Sequence, residues 1–153
     1  MAVPRSVYRR GVYVYTVAKL EPELRRRVAN ARVARLATVR PDGQPHVVPI
    51  TFVANGDEIA SAVDYKPKTT TDLQRLRNLD ANPSASVIVD HWDEDWSRLW
   101  WVRGDGAARV VTSGADWDDA VGLLSEKYAP YRETPPRGPV IFVRVDRWVS
   151  WSP

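Results

Sequence analysis

The segment Asp64-Tyr65-Lys66-Pro67-Lys68-Thr69-Thr70-Thr71 places two lysines and three hydroxyls just ahead of a stretch with helical spacing. Unpaired N–H groups and the helix dipole favour an anion at such a start, and lysine adds charge without fixed geometry. Arg75 and Arg77 follow in the next turn, so Lys66, Lys68, Thr69, Thr70 and Arg75 read as a phosphate or polycarboxylate site. A solvated, threonine-capped helix start accounts for the same residues. No Walker or GxGxxG loop is present, so nucleoside triphosphate chemistry has no support. Seven tryptophans are the second unusual feature, four of them at positions 92, 96, 100 and 101. Indoles are enriched where flat ligands or partner chains dock, and a tryptophan-rich core strand is the other reading. His91, beside Trp92 and Asp93, is the better acid–base candidate of the two histidines. His46 opens a strand and reads as a structural hydrogen-bonding residue. Asp93, Glu94 and Asp95 are consecutive and do not face one point, which makes them a solvated loop and not a cation site.

Several chemistries are excluded outright. The chain has no cysteine, which removes disulfides, thiolate metal sites, iron–sulfur clusters and a cysteine nucleophile. Two histidines, 45 positions apart, cannot make an HExxH site, and no GxSxG elbow is present. No metal is expected. The formal charge is +3, with 22 Lys and Arg against 19 acids, but the arginines are scattered and not striped with aromatics, so nucleic acid is not the expected partner. No apolar run approaches the ~20 residues of a membrane span. At 153 residues, 44% hydrophobic and 27% charged, the expectation is one globular domain in the cytoplasm. Residues 1–19 have a basic start and a short apolar stretch, a poor signal peptide; they read as an N-terminal arm, loosely ordered or a strand, ahead of a domain at 20–153.

The elements that must position these residues can be read from periodicity. Leu20, Leu24, Val28 and Ala31 share one helical face, with Pro22 in the first turn. Residues 33–39 and 46–54 read as strands joined by the turn Arg40-Pro41-Asp42-Gly43-Gln44, and Asn55-Gly56 turns into a third strand at 58–64. A helix over 72–79 follows, with a capping box from Thr71 to Gln74. Asn82-Pro83 precedes strand four at 86–90, and a long strand at 98–111 bends at Gly104-Asp105-Gly106. An amphipathic helix over 116–128, a proline-rich connection at 130–139 and a last strand at 140–148 complete the chain. Tight turns between strands make an antiparallel meander, and six strands with helices at their ends point to a small closed barrel.

In this order, ARVARLATVRPDGQPHVVPITF, a third strand, and KPKTTTDLQRLRNLDANPSASVIVD resemble the pyridoxamine-phosphate-oxidase-like split β-barrel superfamily. Within it the likeness is closest to the flavin/deazaflavin oxidoreductases of actinobacterial type, the coenzyme F420-dependent branch. The recurrent motifs are LATV-x-x-DG-x-P in the first hairpin, a lysine-bearing segment before a helix, and R-N-L-x-x-N-P ahead of strand four; the likeness spans residues 24–150. It implies a six-stranded antiparallel split barrel that forms a homodimer, with cofactors in grooves between subunits. It places the cofactor's phosphate on Lys66, Lys68, Thr69, Thr70 and Arg75. Many relatives carry their Lys or Arg directly before R-N-L, whereas Lys68 lies about two helical turns upstream, so Arg75 competes with it as principal ligand. The ring is implied to pass beside strand two from Val48 to Thr51 and beside Ala62 and Val63. Trp92, Trp96 and Trp100 then wall the substrate pocket or pack the dimer. The implied activity is F420-dependent hydride transfer between reduced deazaflavin and an unsaturated or quinone-like small molecule. An FMN-dependent oxidoreductase of the pyridoxamine-phosphate-oxidase type, and a non-enzymatic flavin- or haem-binding module, are the alternatives. Haem lacks a phosphate and wants an axial ligand, for which His91 is the sole candidate near the groove.

Overall fold

Two Gly-containing turns set the first hairpins. Gly43 and Gly56 both have positive φ (85° and 62°), the conformation that glycine adopts without steric cost. Around them the computed structural model describes residues 19–64 and 73–153, together with the backbone of two strands nearer the N-terminus. In chain order the elements are β1 (Arg5–Arg9), β2 (Val12–Val17), α1 (Pro22–Asn30), β3 (Ala34–Val39), β4 (Pro45–Ile50), β5 (Val53–Asn55), β6 (Glu58–Ala62) and α2 (Gln74–Ala81). They continue with β7 (Ser84–His91), β8 (Trp100–Val111), α3 (Ala115–Lys127), α4 (Ala129–Glu133) and β9 (Val140–Trp151). No helix among the described residues is long and apolar enough to cross a membrane.

All the pairings are antiparallel, and they make one curled sheet. β3 pairs with β4 and β7, β7 with β8, β8 with β9, β9 with β6, and β6 with β5. Only Thr51 and Phe52 separate β4 from β5, so these pairings follow one another around the sheet. The hairpin β1–β2 adds to β9. The mainly antiparallel architecture with flanking helices is as the sequence predicts, but the strand count is not: six are predicted and nine are present among the described residues. The difference has two sources. The single strand predicted at 46–54 is broken at Thr51–Phe52, and residues 5–17 supply two strands. The predicted bend in β8 is a register shift at Asp105/Gly106, where a Cβ on Gly106 would lie 1.9 Å from the Arg144 carbonyl oxygen. Glycine there lets β8 and β9 approach closely.

Inward-facing residues alternate along the strands and meet in one apolar core that includes Leu36, Phe52, Ile59, Val87, Val102, Val143 and Trp148. A second cluster packs Ala120, Val121 and Leu124 of α3 on Val53, Ala60 and Phe142. Each such large side chain contributes about 1.5–3 kcal/mol on burial. Two polar clamps then fix the helices. The buried Trp148 indole donates to Asp57 (3.0 Å), which also accepts from Arg25 of α1 (3.0 Å). Asn78 of α2 donates to the Thr38 hydroxyl of β3 (2.9 Å) inside the core.

One local expectation is corrected and another falls partly outside the described residues. α2 starts at Gln74 with Leu73 as an extended N-cap, and Gln74 donates to Asn78 (2.7 Å); Thr71, the other half of the expected capping box, lies outside the described residues. The proline-rich stretch predicted as a plain connection contains the short helix α4, whose first turn tolerates Pro130.

Candidate functional site

The break between β4 and β5 is made by groups from the far end of the chain. The carbonyl of Phe52 accepts from the Lys127 ammonium (2.9 Å), and the Phe52 N–H donates to the Tyr128 hydroxyl (3.0 Å). The Tyr128 hydroxyl in turn lies 3.0 Å from the carbonyls of Phe52 and Arg32. The Lys127 ammonium also sits 4.1 Å from the centre of the Phe52 ring. Backbone groups that a continuous strand would pair with a neighbour are paired here with side chains, which keeps the bend satisfied. Beside it opens a cleft of about 400 Å³, within the usual size of a small-molecule site. Its walls are Pro49, Ile50 and Thr51 from the end of β4, Ser61, Ala62 and Asp64 around the end of β6, Val33, and Leu73 and Arg75 at the start of α2.

A hydrogen-bond chain runs along one wall. The Tyr131 hydroxyl of α4 donates to the Asp64 carboxylate and lies 2.9 Å from the Thr51 hydroxyl. Burial, reinforced by the bond to Asp64, pushes the Tyr131 phenol up to about 12, so it keeps its proton. A carboxylate only accepts, which commits that proton to Asp64 and makes Thr51 the donor to Tyr131. Burial lowers the pKa of Arg75, while the charge of Asp64 opposes the shift. Guanidinium remains charged throughout.

Unmet bonding capacity lies near Arg75, outside the cleft lining. His46 is pulled below its ordinary pKa first by burial and then by the charges of Arg40 and Arg75. His46 Nδ1 and Arg40 Nε are buried with no hydrogen-bond partner among the described residues. Neither residue lines the cleft, and the lowered pKa leaves His46 uncharged near neutral pH, so its Nδ1 and Arg40 Nε are orphaned polar atoms beside the site and not a second cation pair in it. The reading of His46 as a satisfied structural residue is therefore corrected at Nδ1.

Of the residues singled out in the sequence, Thr51, Ala62 and Arg75 line the cleft together. Val48 packs on the apolar core and Val63 is buried with its N–H on the Pro139 carbonyl (2.8 Å); both adjoin the cleft wall without lining it. Lys66, Lys68, Thr69 and Thr70 lie outside the described residues, although the flanking Asp64 and Leu73 both line the cleft. Trp100 lines a second hollow, with His91 stacked beside it (6.3 Å between ring centres). Trp92 and Trp96 are about two-thirds exposed (65% and 68%) and line neither. The acidic loop folds on itself, Asp93 accepting from the Asp95 N–H (2.9 Å) and Asp95 from the Ser97 N–H (3.0 Å). Sequence reasoning missed Asp64 as a site residue, and Tyr128, Tyr131 and Lys127 altogether. Lys127, Tyr128 and Tyr131 reach Phe52, Thr51 and Asp64 from 67 to 80 positions away, and no local pattern signals that.

A curled antiparallel sheet with flanking helices and a part-polar cleft defines the pyridoxamine-phosphate-oxidase-like fold. Residues 20–152 match the pyridoxamine 5′-phosphate oxidase family, and the chain belongs to it. Among solved structures it is similar to the conserved hypothetical protein Rv2991 of Mycobacterium tuberculosis, at 21% identity over 88% of this chain and 87% of that one, with a TM-score of 0.72. It is similar also to an FAD-binding protein of Mesorhizobium loti (22% identity, 92% and 99% covered, TM-score 0.63). The haem storage protein HutZ of Vibrio cholerae is a third (21% identity, 84% and 90% covered, TM-score 0.64). At these identities the likeness is one of fold. No curated protein sequence matches the chain.

Proposed function

We propose that the chain is an F420-dependent oxidoreductase acting on an unsaturated or quinone-like small molecule, as a homodimer. The observation that carries this is the cleft in which a half-buried Arg75 faces apolar and hydroxyl-bearing walls, with Asp64 and Leu73, the described residues on either side of the lysines, among its lining. Arg75 binds the cofactor's phosphate, aided by the lysines at 66 and 68. Asp64, held by Tyr131, orients Arg75 and balances its charge. Pro49, Ile50 and Ala62 offer an apolar bed for a flat ring and exclude water from its face. When bound, reduced deazaflavin supplies a hydride to the acceptor, and solvent supplies the proton that completes the reduction. No side chain is assigned as proton donor.

F420 is favoured over FMN because it continues past its phosphate into an acidic tail, and Lys66, Lys68, Arg75 and Arg77 spread charge farther than one phosphate requires. The FAD-binding relative of the same fold supports FMN in the same cleft as the second reading. The exposed Val47, Trp92 and Trp96 support an interface with a second copy of the chain. The test is turnover. Reduced F420 mixed with menadione should be oxidised at a rate proportional to enzyme, and Arg75→Ala should slow it. Oxidation of reduced FMN but not of reduced F420 would move the assignment to the flavin branch. No acceleration with either would end the enzyme reading.

A further inference from the structure

The ring cleft is not the only hollow at this end of the molecule. A second, of about 370 Å³, shares Val33 with it as a common wall. One side is the last turn of α1 and the residues after it, bringing Arg26, Arg27 and Arg32. The other is the end of β7 and the start of β8, bringing Asp90, His91 and Trp100. Local pairing leaves positive charge in excess here. Arg26 is taken up by Glu23, but Arg27 gives Glu23 only its Nε (3.1 Å), and Arg32 gives one terminal nitrogen to the Lys127 carbonyl. Asp90, the acid in the lining, is already bound by Arg35.

The cations are also held in place. The Arg27 guanidinium lies 5.8 Å from the Trp100 ring centre, against the indole that His91 flanks. Stacked guanidinium presents its remaining N–H groups with little further loss of freedom. The dipole at the end of α1 accounts for a cation in its last turn, and Arg32, beyond that helix, is fixed by the last carbonyl of α3 and by the Tyr128 ring (5.8 Å), which leave the rest of its fork to a ligand.

We infer that this hollow is an anion subsite for a carboxylate that extends from the neighbouring cleft. Resting on the proposed function, the carboxylate belongs either to the molecule being reduced or to the acidic tail of the cofactor. Arginine forks suit a planar carboxylate, and the shared wall at Val33 lets one ligand occupy both hollows.

The experiment has two arms. Protein without cofactor is titrated by NMR with trans-cinnamate and with cinnamamide, which match in shape and differ in charge. Cinnamate should bind about tenfold tighter at low salt, the effect of one charge-assisted contact. A double variant, Arg27→Gln with Arg32→Gln, should bring the two within about twofold, and Arg144→Gln, whose partner is Asp146 elsewhere on the surface, should leave the preference intact. In the second arm F420 and FMN are titrated onto the double variant. Unchanged affinity for both assigns the anion to the substrate; loss for F420 alone assigns it to the tail. Equal binding of cinnamate and cinnamamide to the wild type, with F420 unaffected in the double variant, overturns the inference. If instead neither F420 nor FMN binds the wild type while cinnamate keeps its preference, the cofactor reading falls and the anion subsite stands.

Discussion

Replacing Arg75 with alanine removes the one described cation that lines the ring cleft, and the size of the effect can be worked out. The guanidinium is half-buried and faces Asp64, whose carboxylate is occupied by Tyr131. On the proposed function its N–H groups meet the phosphate of an incoming cofactor in a partly dry site. A hydrogen bond to a charged group contributes about 1.5–3 kcal/mol, which is roughly a 10- to 150-fold change in Kd. Partial solvation favours the lower half of that range. Equilibrium titrations of the wild type and Arg75→Ala with FMN and with F420, followed by absorbance, read the change directly. Thermal melts establish that both proteins are folded. An affinity within twofold of wild type for both cofactors, in a folded variant, would refute Arg75 as the phosphate ligand and shift the role to the segment at 66–71.

Other consequences concern the groups that build the site. Tyr131→Phe loses the bonds to Asp64 and Thr51, about 1–2 kcal/mol given how exposed Asp64 is, which lowers Tm by roughly 2–8 °C at this chain length. The folded pKa of Tyr131 is raised to about 12 from an ordinary 10, so the stability it adds is complete below pH 10 and lost toward pH 12. A Tm unchanged by the substitution at pH 7 would contradict the chain of bonds. Lys127 titrates near 8 in the fold because of burial, against 10.5 for a free lysine, so between those values the unfolded chain binds more protons and stability rises with pH. Wild-type Tm should therefore gain on that of Lys127→Met between pH 7 and 9.5; parallel curves would refute the shift. Gly106→Ala should cost about 3 kcal/mol or more, because its Cβ would overlap the Arg144 carbonyl, and denaturant melts with a midpoint like that of the wild type would contradict the close approach of β8 and β9.

What the sequence revealed and what it hid follow the range of the forces involved. The hairpins at Gly43 and Gly56 and the bend at Gly106 are local, set by turn chemistry or by a missing side chain, and all three were legible. The amphipathic faces of α1 and α3 were legible for the same reason. The break at Thr51–Phe52 was not, because Lys127 and Tyr128 hold it from α3 and the residue after it. Arg75 was found because a cation next to a helix start is a local signal, while its neighbours in space, Asp64 and Tyr131, depend on where β6 and α4 end.

The proposed function puts a deazaflavin in the cleft beside Arg75, with charge to spare for its tail. Its most direct test is a parallel equilibrium titration of the purified protein with F420, FMN and haem at low and at high salt. F420 should bind more tightly than FMN, the gap should narrow as salt screens the exposed tail contacts, and haem should bind more weakly than either. Binding of FMN equal to or tighter than that of F420 at both salt concentrations would contradict the deazaflavin assignment, and binding of haem alone would contradict the cleft as a flavin-type site.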